Sequence, residues 1–233
     1  FHHSLPPKAY LYPIPYEMYK KYEIRKYGFH GTSHLHVAKR AAGLLNNPEA
    51  NVITCHLGNG CSIAAIEKGF SVDTSMGFTP LEGLVMGTRC GDIDPAITFY
   101  LIRKGYSADE LNILLNKKSG LLGISGISND MRNLLVAREK GEERAKIAID
   151  IFCYRLKKYI GSYMAILGKT DAIVFTGGIG ENNFQVRFES LKGLEQLGIE
   201  IDEQVNAGLS GGQEALISKD NSPVKVFVIP TNE

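Results

Sequence analysis

Several features are missing from this sequence, and each absence excludes a class of function. Charge of one sign is missing: 26 Lys and Arg stand against 25 Asp and Glu, for a formal net charge of +1. The chain therefore has no global field to draw in nucleic acid or an anionic membrane. Long apolar runs are missing, so nothing in it reads as a bilayer span. No stretch resembles a signal peptide, although the chain begins at Phe1 and an upstream targeting segment can precede it. The four cysteines (Cys55, Cys61, Cys90 and Cys153) show no C-x-x-C spacing. Reduced thiols and a cytoplasmic location are the expectation for so large a chain, with Cys55 and Cys61 flanking one turn and able to face each other. G-x-G-x-x-G is also missing, so a dinucleotide fold has no support.

What is present begins with bulk. At 233 residues and 44% hydrophobic content the chain can bury a sizeable core as one large domain or one and a half small ones. The organising stretch is Val52 to Asp73. Val52, Ile53 and Leu57 precede a Gly58-Asn59-Gly60 tip, and Ile63, Ala64, Ala65 and Ile66 follow it. A second turn at Lys68-Gly69 leads to a third strand. Asn-Gly between apolar runs predicts a tight primed hairpin turn, which requires positive φ. Gly58 and Gly60 lack Cβ atoms, so a phosphate can approach backbone N–H groups there; a plain surface hairpin is the alternative.

Residues 1–27 are rich in Tyr and Pro and read as an extended connecting segment, because the prolines forbid a helix through Pro15. Gly28 and Gly31 then bracket Phe29 and His30. Thr32 or Ser33 is expected to cap the helix that follows. His30, His34 and His36 do not share one helix face, so a zinc site is not expected. His30 lies ahead of the helix, where it can donate to a phosphoryl oxygen or be a loop histidine bonded to backbone. The Gly-rich loop from Met76 to Pro95 carries Arg89, whose planar fork can meet an oxyanion or pair with Asp92 or Asp94. Asp94 is expected to cap a helix opening at Pro95.

Ser107 to Glu110 is a capping box. Leu121 to Ile127 reads as a buried loop or short strand, and Ser128 as the cap of the next helix. Asp130 and Arg132 open that helix, able to reach a ligand or each other. Apolar residues at three- and four-residue steps predict a long helix over 142–167. Asp171 to Thr176 is a buried strand running straight into Gly177, Gly178, Ile179, Gly180 and Glu181. This strand–glycine–helix turn suits a nucleotide or is simply tight. A helix over 184–197, a short helix from Asp202 and a strand over 224–229 complete the chain, which stops straight after that strand as a truncated domain would.

YGFHGTSH (27–34), HLGNGCS (56–62), MGFTPLEGLVMGTRCGDIDP (76–95), NDMR (129–132), FTGGIGEN (175–182) and IPTNE (229–233) together resemble the acetate kinase family of the acetate and sugar kinase/Hsp70/actin superfamily. The resemblance implies an α/β fold: a ribonuclease H-like (actin-like ATPase) domain over 28–233, a mixed sheet flanked by helices, preceded by an interdomain segment over 1–27. It also implies that the first domain, its catalytic aspartate and a final helix lie outside this chain, which alone would be inactive. The implied reaction is reversible phosphoryl transfer from ATP to acetate, giving acetyl phosphate and ADP, with Mg2+ (or Mn2+). The related alternatives are propionate or butyrate kinase, or a nucleotide-binding and dimerisation module. By resemblance, His30 and Arg89 are transition-state stabilisers. His56, Leu57, Gly58, Asn59 and Gly60 form the phosphate turn. Asp130, Met131 and Arg132 with Gly177, Gly178, Ile179, Gly180 and Glu181 form the adenosine pocket, and Glu233 is magnesium-associated. The family implies a homodimer through this domain, with the loops at 76–86 and 121–127 and the long helix as candidate surfaces.

Overall fold

In the computed structural model, which describes residues 1–209 and 211–231, the strand Val52–Leu57 is buried at every residue. Unbroken burial of this kind belongs to a strand covered on both faces. In chain order the elements are α1 (Pro7–Tyr10), α2 (Tyr16–Tyr22), α3 (Gly31–Leu44), β1 (Val52–Leu57), β2 (Cys61–Glu67), β3 (Phe70–Thr74), α4 (Ala96–Arg103), α5 (Ala108–Lys117), α6 (Gly120–Ser125), α7 (Met131–Glu139), α8 (Glu143–Leu167), β4 (Ala172–Thr176), α9 (Gly177–Asn182), α10 (Phe184–Leu191), α11 (Glu203–Gly208), β5 (Ala215–Leu216) and β6 (Lys225–Val228).

The strands form one mixed sheet in the order β3-β2-β1-β4-β6-β5. β1, β2 and β3 are antiparallel neighbours, whereas β4 and β6 continue the sheet parallel to β1. This is the ribonuclease H-like α/β arrangement expected from the sequence. Alternation along β1 divides the core. Ile53, Cys55 and Leu57 pack with Phe152, Leu156 and Ile160 of α8 on one face. Val52 packs with Val37 and Ala41 of α3 on the other. Because β1 and β4 run parallel with His56 beside Thr176, the Gly58 tip and the Gly177 turn emerge at the same edge of the sheet. The carboxyl edge of parallel strands is where open α/β sheets bind ligands.

Several local expectations need correction. The 1–27 segment is not extended throughout. Pro7 opens α1 and Pro15 precedes α2, so the prolines start short helices rather than excluding them. The segment is also tied down: the buried His2 ring bonds Ser71 and the Phe29 carbonyl. None of Gly58, Asn59 and Gly60 has positive φ, so the tip is a three-residue loop and not a primed turn. The primed geometry occurs instead at Lys68 (φ 50°) and Gly69 (φ 84°). His30, itself at φ 55°, stands at the N-cap of α3 in place of Thr32 or Ser33. Asp130 caps α7 by accepting from the Arg132 N–H, two residues beyond Ser128.

Residues 120–125 form a helix, α6, not a loop or strand. Leu121 and Leu122 donate their N–H groups to the carbonyls of Met86 and Gly87. α10 stops at Leu191 because Lys192 turns extended and Gly193 takes φ 83°. The capping box at Ser107 and the long α8 are found where expected. Cys61 lies opposite Leu57 and Cys55 opposite Ile63, so the two thiols do not face each other, and all four cysteines are free. Met76, Leu84, Val85, Met86 and Leu121 are buried, whereas Phe78 and Ile127 of the same stretches are exposed. No helix among the described residues is long and apolar enough to cross a membrane.

Candidate active site

His30 and Arg89 are 59 positions apart in the numbering yet converge on the β1–β2 tip. A Cβ built on Gly60 would lie 3.4 and 3.6 Å from the two terminal guanidinium nitrogens of Arg89 and 3.6 Å from Cε1 of His30. Absence of a side chain at Gly60 therefore leaves open the point at which imidazole and guanidinium meet. Each is aimed by its own support. Arg89 Nη1 donates to the Pro80 carbonyl at 3.0 Å, and among the described residues no carboxylate pairs with it. Asp92, the alternative partner, is engaged elsewhere: its carboxylate accepts from the Gly83 N–H at 2.7 Å and from the Tyr159 hydroxyl at 2.6 Å. Asp94 accepts from the Ala96 N–H. The Arg89 loop is fastened from behind by α6; a Cβ on Gly120 would meet the Met86 carbonyl at 2.2 Å.

Side chains of the sheet support the His30 ring. Its Nδ1 lies 2.8 Å from Ser62 Oγ. It stacks on His56 with ring centroids 4.2 Å apart and planes 23° apart. His56 is nearly buried and bonds Ser33 Oγ through Nδ1, and Ser33 in turn meets the Thr231 hydroxyl at 2.8 Å. Burial pushes the His56 pKa down to about 4, so this ring is neutral at physiological pH. His34, fully buried, bridges Thr54 and Ser62 and is likewise held far below the ordinary histidine range by burial. Among the described residues no three His, Cys, Asp or Glu side chains converge as metal ligands. Cys61 adjoins the tip, but burial raises its thiol to about 12 and it donates to the Gly58 carbonyl, so it is no nucleophile.

Beside the tip is a cleft of about 400 Å³ lined by Gly58, Asn59, Asn129, Asp130, Met131, Arg132, Gly178, Ile179, Asn182 and Asn183. It draws on three turns that sequence separates widely. Asn59 joins two of them: its carbonyl accepts from the Gly87 N–H at 2.9 Å and its side-chain oxygen from Asn129 at 3.0 Å. At the lip, Arg132 and Asp130 form an exposed fork, with Nη2 2.6 Å from Oδ2, that depresses the Asp130 pKa. Gly178 and Ile179 face the cleft, but Gly177, Gly180 and Glu181 do not line it. Gly177, at φ 76°, would drive a Cβ to 2.8 Å from the Leu57 carbonyl. Glu181 Oε1 accepts from the Gly177 and Thr231 N–H groups at 2.8 and 3.0 Å, closing the turn from inside. Leu57 is core, and His56 supports His30 rather than lining the cleft. Glu233 lies outside the described residues. A larger cleft of about 720 Å³ lies against Phe1, His3, Tyr19 and Arg25. Gly28 and Gly31 border it, but neither the Gly58–Gly60 tip nor the Gly177 turn lines it, so size does not decide the site.

Sequence reasoning missed Ser62, Thr54, Ser33, Asn129 and Asn183. Alternation along β1 and β2 puts Thr54, His56 and Ser62 on the α3 face; the polar residues at those buried positions were the available signal.

The chain matches the acetokinase family over residues 1–233. It is 56% identical to the acetate kinase of Geobacter sulfurreducens, with all of this chain covered and 56% of that protein. It is 58% identical to that of Nitratidesulfovibrio vulgaris, covering all of this chain and 58% of that one. Among solved structures, Porphyromonas gingivalis acetate kinase superposes with a TM-score of 0.97 at 46% identity, over 100% of this chain and 59% of that one. A propionate kinase from Francisella tularensis gives 0.93 at 50%, over 99% and 59%. The chain thus spans less than three-fifths of the length of each of these proteins. Matched from end to end by the family and more than half identical to such relatives, the chain belongs to the acetokinase family.

Proposed function

We propose that this chain carries the nucleotide-binding and transition-state-stabilising part of an acetate kinase. In the reaction, an acetate oxygen attacks the γ-phosphorus of ATP in line. The bond from that phosphorus to the β,γ-bridging oxygen breaks, and acetyl phosphate and ADP are formed, reversibly. The observation that carries this reading is the convergence of His30 and Arg89 on the open point at Gly60, beside the glycine-lined cleft. A loose phosphoryl transition state spreads charge over three equatorial oxygens, so positioned donors and positive charge are what the reaction needs. The Gly58–Gly60 tip would face the phosphates, and Met131, Ile179 and their neighbours the adenosine.

The described residues do not fit a resident metal: the groups at the tip are imidazole, hydroxyl and guanidinium. Magnesium or manganese therefore enters as the companion of the nucleotide, held by phosphate oxygens and water, with Glu233 proposed as its protein partner. The relatives are much longer than this chain, so the acetate side of the reaction is assigned to residues outside it, and residues 1–233 alone are expected to bind nucleotide without turnover. A homodimer is proposed through α4, which exposes Ile97, Phe99, Tyr100 and Ile102 along 8 residues. The protein is proposed to work in the cytoplasm, with neither nucleic acid nor membrane as a partner.

The similarity to a propionate kinase favours one second reading, a longer acyl chain. One methylene is worth only about 1–3 kcal/mol in an apolar pocket, so the two readings are close in energy. Turnover of acetate, propionate and butyrate by the full-length enzyme decides. Acetate with the highest kcat/KM is expected. Preference for propionate would replace the substrate, and no acyl phosphate from any of the three would overturn the assignment.

A further inference from the structure

We infer that Asp92, gripped by Tyr159 and Arg155 of α8, is a positioning residue for Arg89: it closes the neck of the Arg89 loop and so fixes the Pro80 carbonyl that aims the guanidinium. The inference rests on the phosphoryl-transfer reading only for what the guanidinium meets.

A guanidinium carries donors and no acceptor, so the acceptors it finds set its direction. Among the described residues Arg89 has two, both reached by Nη1: the Pro80 carbonyl at 3.0 Å and the Met86 sulfur at 3.5 Å. Sulfur is a weak acceptor, so the Pro80 carbonyl governs. The main chain near Arg89 is held by α6: Leu121 N–H donates to the Met86 carbonyl at 2.9 Å, and Met86 N–H to the Arg89 carbonyl at 3.2 Å. Pro80 has no such support. It lacks an N–H, and among the described residues its carbonyl takes no other hydrogen bond. Its place follows from its neighbours in the chain. Tyr12 holds Phe78 and Glu82, and Asp92 holds Gly83.

Gly83 and Asp92 pair in both directions. Asp92 N–H donates to the Gly83 carbonyl at 2.9 Å, and Gly83 N–H donates to Asp92 Oδ1 at 2.7 Å. The pair closes the loop that carries Arg89. Gly83 stands at φ 107°, and a Cβ there would lie 2.6 Å from the Ser75 carbonyl, so the closure requires glycine. Asp92 is fixed in turn by α8, a helix anchored in the core through Phe152, Leu156 and Ile160. The Tyr159 hydroxyl donates to Oδ2 at 2.6 Å. Arg155 Nη1 donates to the Asp92 carbonyl at 3.0 Å and lies 3.7 Å from Oδ2. Without the Tyr159 hydroxyl, Oδ2 would face Arg155 alone. Closing that gap swings the carboxylate and draws Oδ1 away from the Gly83 N–H. The neck then loosens, and the Pro80 carbonyl moves with it.

The test uses the full-length enzyme and Tyr159→Phe, which keeps the ring and removes one hydroxyl. It is expected to lower kcat about 10- to 100-fold, up to the scale of an ångström of misplacement, with nucleotide KM unchanged. In an Arg89→Ala background the same substitution should lower kcat less than about twofold further, because a residue acting only through Arg89 has nothing left to position. Its crystal structure should show the Arg89 guanidinium displaced from the Pro80 carbonyl. If Tyr159→Phe does not fold, Asp92→Asn is read in the same three ways. An unchanged kcat, an equal loss in both backgrounds, or an Arg89 still bonded to Pro80 overturns the inference. A displaced Arg89 in a protein whose wild type makes no acyl phosphate overturns the functional reading and leaves the positioning role standing.

Discussion

Gly60 shows how a residue without a side chain shapes chemistry. Its φ is not positive, so alanine fits the backbone there, and the contacts its Cβ would make, at 3.4–3.6 Å, are ordinary. The methyl would nevertheless occupy the point shared by His30 and Arg89. Gly60→Ala is therefore expected to change unfolding free energy by no more than about 0.5 kcal/mol. It should lower kcat roughly 10²-fold, because about an ångström of misplacement costs that much. Urea unfolding and initial-rate kinetics on the same preparation check both halves. Arg89→Ala removes a charged donor outright and should lower kcat about 10²–10³-fold with little change in nucleotide KM. Arg89→Lys should not restore it, since a point charge lacks the planar fork. An unaltered kcat in Arg89→Ala would remove Arg89 from the transition state.

At the scale of elements, the β4–α9 turn depends on a buried cation. Arg187 of α10 is 1% exposed and has no carboxylate partner among the described residues. Its guanidinium donates to the carbonyls of Gly180 and Glu181 at 2.8 and 2.9 Å and to Asn206 of α11 through both its side-chain and main-chain oxygens. Burial lowers its pKa to about 10, which still leaves it charged at neutral pH. It binds the end of α9 to α10 and α11, while Glu181 closes the start of α9. Arg187→Met should destabilise the fold by roughly 3 kcal/mol or more, since three carbonyls lose a buried donor. Calorimetry on the folded variant should also show weaker nucleotide binding, because Gly178 and Ile179 ride on the same helix. A loss smaller than about 1 kcal/mol would mean that water replaces the guanidinium.

For the whole molecule, the α3 face of the sheet is where acid acts. His34 and His56 are both held neutral there by burial, His56 with a pKa of about 4 against an ordinary 6.5. The unfolded chain binds protons that the folded one refuses. Stability from these groups is therefore full above pH 6.5 and is lost as pH falls from 6.5 towards about 4. For His56 alone the loss is on the order of 3 kcal/mol. Denaturant midpoints taken across that window should fall with acidification, and less steeply in His56→Gln. A flat profile would place the histidines in water in the native state.

Local pattern made much of the frame legible: the hydrophobic period of α8, the capping box at Ser107 and the apolar runs of β1, β2 and β4 act over a few residues, where sequence neighbours are spatial neighbours. The site motifs were legible too, because glycine and charged side chains stand out at turns. Polar partners on buried faces were not. Ser62 and Thr54 are ordinary strand residues until β1 and β2 pair in register and α3 lies over them. Nor did the glycines of residues 120–126 announce a helix, since its first N–H groups are satisfied by the distant carbonyls of Met86 and Gly87. Sequence by itself determined which residues carry charge, which lack a side chain and which stretches must be buried, since those are properties of the residue and its period. Only the tertiary structure decided that His30 and Arg89 share one point and that a buried hydroxyl supports one of them. Distances and hydrogen-bond partners exist only once the sheet and its covering helix are assembled.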